Sequence, residues 1–139
     1  MLKHGVRINE EASAEISGIK GIWSLRSSTQ DSFDTFLVVS FVSETRILAF
    51  TSKDELEETE IQGFVSDAHS LFCQVAIHDQ LIQVTTGCVR LVSGLHNCFL
   101  DEWREPTGLS IIVATDNATQ ILLAIGGSQL VYLEIEERG

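Results

Sequence analysis

The chain has 139 residues, 44% of them hydrophobic, enough for a packed core and too many for a disordered segment. Twenty Asp and Glu against nine Lys and Arg leave a net charge of -11, which repels a phosphate backbone and argues against direct DNA or RNA binding. Apolar runs extend for only a few residues, too short for a membrane helix, and Met1-Leu2-Lys3-His4 leads into polar sequence without a signal-peptide core.

In chain order, Val6-Arg7-Ile8 and Ala14-Glu15-Ile16 read as short strands around a polar turn at Asn9-Glu10-Glu11. Gly18 and Gly21 punctuate the chain before Ile22-Trp23-Ser24-Leu25. From there one grammar repeats. Phe36 to Phe50 (FLVVSFVSETRILAF), Gln80 to Ser93 (QLIQVTTGCVRLVS) and Gln120 to Ile135 (QILLAIGGSQLVYLEI) are each a strand, a tight turn and a strand. Leu37, Leu81 and Ile121 mark periods of 44 and 40 residues, the spacing of four-stranded propeller blades.

A first strand precedes each pair, at Ile22 to Leu25, Leu71 to Ala76 and Ser110 to Thr115. Val38, Val39, Ile82, Leu122, Leu123 and Ala124 are expected to be buried on both faces between blades, with Arg46, Arg90 and Gln129 reaching solvent. Gly87 and the pair Gly126-Gly127 fit hairpin turns that need positive φ. A fourth, outer strand is expected at Glu57 to Ile61 and at Cys98 to Trp103, and none in the third unit. The fold class is therefore all-β: a partial β-propeller of about three WD-like blades of antiparallel strands, incomplete at the C-terminus. The repeat units are about 19–62, 63–104 and 105–139.

Chemistry-bearing residues are sparse. His69 lies near Ser66, Asp67 and Ser70, but a catalytic triad is a spatial arrangement, and no GxSxG elbow is present. His78, His96 and Cys98 lack paired ligand spacing, and three cysteines without a CxxC (Cys73, Cys88, Cys98) point to neither a disulfide framework nor a zinc site. The carboxylate pairs Glu57-Glu58 and Asp101-Glu102 sit among polar neighbours and read as solvated surface. So does the acidic run Asp54 to Glu60, whose sharper reading is a patch that steers a basic partner. Asn117-Ala118-Thr119 matches a glycosylation sequon and reads as a hairpin loop, while Trp23 and Trp103 read as blade-core anchors. No catalytic, cofactor-binding or metal residue is assigned, and the chain is expected not to be an enzyme and to need no cofactor.

Several runs carry a family resemblance: Gly18 to Arg26 (GIKGIWSLR), Asp34 to Val42 (DTFLVVSFV), Glu44 to Leu48 (ETRIL), Glu57 to Ile61 (EETEI) and Gly63-Phe64. The later runs Leu71 to Cys73, Gln80 to Thr85, Val89 to Ser93, Glu102-Trp103 and Val131 to Ile135 keep its order and spacing. Together they resemble the large subunits of damaged-DNA-binding proteins, most closely the plant forms. The resemblance implies a non-catalytic scaffold of three propellers that serves cullin-4 ubiquitin ligases in the nucleus and cytoplasm. In that family the second propeller holds the cullin, and WD-repeat receptors dock between the first and third. Residues 1–18 would end the first propeller and residues 19–139 open the second. The same superfamily includes scaffolds of RNA cleavage, polyadenylation and splicing, which keep the fold and change the process.

Overall fold

The computed structural model describes residues 5, 7–10, 13, 15–26, 36–50 and 55–136. Among the described residues eleven strands form three antiparallel sheets, each built from strands consecutive in sequence. The first blade contains β1 (Gly21–Leu25), β2 (Phe36–Ser40), β3 (Thr45–Phe50) and β4 (Leu56–Thr59). The second contains β5 (Ser70–Ala76), β6 (Gln80–Thr85), β7 (Cys88–Ser93) and β8 (Cys98–Arg104). The third contains β9 (Ile111–Asn117), β10 (Gln120–Ile125) and β11 (Gln129–Glu134). The only helical element among the described residues is the 3₁₀ turn Ile77–Asp79.

The leading strands β1, β5 and β9 adjoin in that order, so the blades stack face to face around them. This is a partial propeller and not a closed barrel. Each strand's period-2 alternation sends one row of side chains toward each neighbouring blade. Leu25, Val38 and Ile47 of the first blade meet Cys73, Leu81 and Val92 of the second, with Trp23 packed beside them. From its other face the second blade sends Ala76, Ile82, Val84 and Val89 against Ile111, Ile121, Leu123 and Ile125 of the third, with Trp103 alongside. The second blade is thus covered on both faces, and Leu81 to Thr85 of β6 are all buried.

Four expectations from the sequence change. Leu122 is 46% exposed and Ala124 only half-buried while Leu123 between them is fully buried, because among the described residues β10 has a blade against one face only. Arg90 is half-buried, held by Glu102 and by the carbonyl of Gly63, instead of reaching freely into solvent. Gly126 and Gly127 adopt positive φ of 51° and 92°, as the β10–β11 hairpin requires, but Gly87 does not. Its turn is closed instead by the Thr85 hydroxyl, which accepts from the backbone N–H of Gly87 and of Cys88, both at 3.2 Å. Finally, Arg7, Ile8, Glu15 and Ile16 are not in strands, and Ile8 is 99% exposed; Val6, Glu11 and Ala14 lie outside the described residues.

Candidate interaction surface

Some of the residues considered for chemistry hold blades together. The crossover that leads from the first blade into the second carries Ser66, Asp67, His69 and Ser70. Ser70 is buried; its hydroxyl lies 2.7 Å from that of Thr45 and accepts from the Gln83 amide at 3.0 Å, and its backbone N–H donates to Ser40 Oγ at 2.8 Å. Thr45 bonds twice more to the crossover: its hydroxyl donates to the carbonyl of Ala68 at 2.7 Å, and its N–H donates to that of Ser66 at 2.9 Å. Gln83, from the middle of β6, closes both backbone groups of Val65, accepting from its N–H at 2.7 Å and donating to its carbonyl at 2.8 Å. A buried seam of Ser40, Thr45, Ser70 and Gln83 therefore straps the crossover to both blades. Gln83 was not singled out from sequence, since nothing in QLIQVT marks both faces of β6 as covered and an amide in its middle as buried.

Glu102 holds the outer part of the second blade. Arg90 Nε donates to it at 3.0 Å and Arg104 Nε at 3.1 Å, while Arg90 also donates to Gly63 O at 3.0 Å and lies over the Phe99 ring. Burial would raise the Glu102 carboxyl, but hydrogen bonds from Arg104 and Arg90 and their charges outweigh it, so it stays below the usual carboxylate range. Its partner in sequence, Asp101, is exposed. The pair thus has unlike environments, set by a structural ion pair.

The remaining candidates separate in space or face solvent. His78 sits in the 3₁₀ turn and His96 in the β7–β8 turn, where its N–H donates to Ser93 Oγ at 3.0 Å; exposed Cys98 opens β8. No three His, Cys, Asp or Glu side chains converge among the described residues. Cys73 and Cys88 are buried, and burial pushes the Cys73 thiol far up, away from the reactive thiolate. Glu57 and Glu58 are exposed on β4, where Glu58 comes within 3.9 Å of Arg46; Asp54 and Lys53 lie outside the described residues. Asn117, Ala118 and Thr119 form the β9–β10 hairpin turn, and the carbonyl of Ala118 accepts from the N–H of Ile77 at 3.1 Å.

What stands out instead is the far face of the third blade. Leu122 pairs with Tyr132 and Ala124 with Leu130 across β10 and β11, and Ala124 with Val113 across β9 and β10. On this face Val113 is 60% exposed, Leu130 79% and Tyr132 52%, and exposed Glu134, two residues beyond Tyr132 on β11, puts a carboxylate at its end. A largely apolar sheet face on so acidic a chain is suited to packing against another protein surface. No helix of the described residues is long and apolar enough to cross a membrane.

A model of the RSE1/DDB1/CPSF1 second β-propeller matches residues 8–139. The chain is 58% identical over 135 residues, 97% of its length, to DNA damage-binding protein 1a of Arabidopsis thaliana, and 59% identical over the same length to DNA damage-binding protein 1 of Solanum lycopersicum. It is 56% identical over 137 residues to DNA damage-binding protein 1 of Oryza sativa subsp. japonica. It spans only 12–13% of the length of these curated relatives. The matched blades and the matched sequence agree, and the chain belongs to the RSE1/DDB1/CPSF1 second β-propeller family.

Proposed function

We propose that this chain is a non-catalytic scaffold segment of a cullin-RING ubiquitin ligase adaptor that acts in DNA-damage recognition and repair and in protein ubiquitination. The observation that carries the reading is the 58% identity, over nearly the whole chain, to a protein named DNA damage-binding protein 1a. The blades support it: polar groups in the core are spent on joining blades, and the open face of the third blade is largely apolar, as a protein-docking scaffold needs. In this reading residues 19–139 are the opening blades of a second propeller and residues 1–18 the end of a preceding one. The partners are a cullin, held by the second propeller, and WD-repeat receptors bound by the longer protein, in the nucleus and cytoplasm. Direct contact with nucleic acid and membrane is left to others, consistent with the charge of -11.

The test is co-purification from cell extract, with a longer protein that contains this segment compared with the 139-residue chain alone. The longer protein should recover a cullin and WD-repeat receptors. The short chain should recover neither at similar levels, because three blades present only part of a preorganised rim. A cullin missing from the longer protein's eluate, with cleavage or splicing factors in its place, would move the reading to an RNA-processing scaffold, which the same family model also covers.

A further inference from the structure

We draw no further inference here: the strongest candidate, the exposed acidic outer strand β4 of the first blade with Glu57 and Glu58, is a cluster of carboxylates alone, and nothing in the structure shows what covers it.

Discussion

Gln83 sits in the middle of a strand that is buried on both faces, where an amide is tolerated only if its polar atoms are satisfied. Its three bonds close both backbone groups of Val65 and one lone pair of Ser70. Gln83→Leu should therefore cost about 2–4 kcal/mol in urea unfolding, more than its own lost bonds, because Val65 and Ser70 are left unpaired in the seam. The carboxylates give the opposite pair of pH effects. The folded-state value of Glu102 is lowered, so the stability it brings is complete above its unfolded value and is lost as pH falls through the folded one. Burial raises Asp116, whose Oδ2 has no donor, so its contribution is complete below its unfolded value and is lost as pH rises through the folded one. Asp116→Asn should raise the melting temperature near neutral pH and leave it little changed in acid. A series of thermal melts between about pH 4 and 8 checks this, and equal shifts at both ends would remove the titration as the cause.

At the level of elements, two turns that look alike in sequence behave differently. Gly126 has φ of 51°, and a Cβ there would come within 2.9 Å of Leu109 Cδ1; Gly87 has no positive φ, and its Cβ would meet only the mobile end of Arg104 at 3.8 Å. Gly126→Ala should cost about 1–2 kcal/mol, whereas Gly87→Ala should be neutral or slightly stabilising through the unfolded chain. Paired thermal melts decide it, and a larger loss at Gly87 would refute the assignment of that turn to the Thr85 hydroxyl. These elements also show what could be read in advance. The order of strands, the period of the blades and the places of β4 and β8 follow from alternation and turn residues, which are local. The exposure of Leu122, the tie on Arg90 and the role of Gln83 depend on which faces are covered and by what, and a run such as QILLAI carries no mark of that.

For the molecule as a whole, net charge and the open face of the third blade pull in opposite directions. At -11 per chain, two copies repel each other, while Val113, Leu122, Leu130 and Tyr132 offer a largely apolar surface to meet on. Raising the salt from about 0.05 to 0.5 M shortens the screening length to a few ångströms, so repulsion fades while apolar burial persists, and sulfate strengthens burial further. Self-association should therefore increase with salt, the reverse of what ion pairs between copies or binding to a duplex would do. Sedimentation velocity across that range measures it. Leu130→Lys with Tyr132→Lys should keep the chain monomeric at high salt and leave its melting temperature nearly unchanged, since neither residue packs against the second blade. Leu123→Ala, one position along β10 from the exposed Leu122, should instead cost about 2–5 kcal/mol, because it opens a cavity against the second blade. If Leu130→Lys with Tyr132→Lys left association intact, or if association fell as salt rose, the contact would have to be placed on a charged surface elsewhere in the molecule.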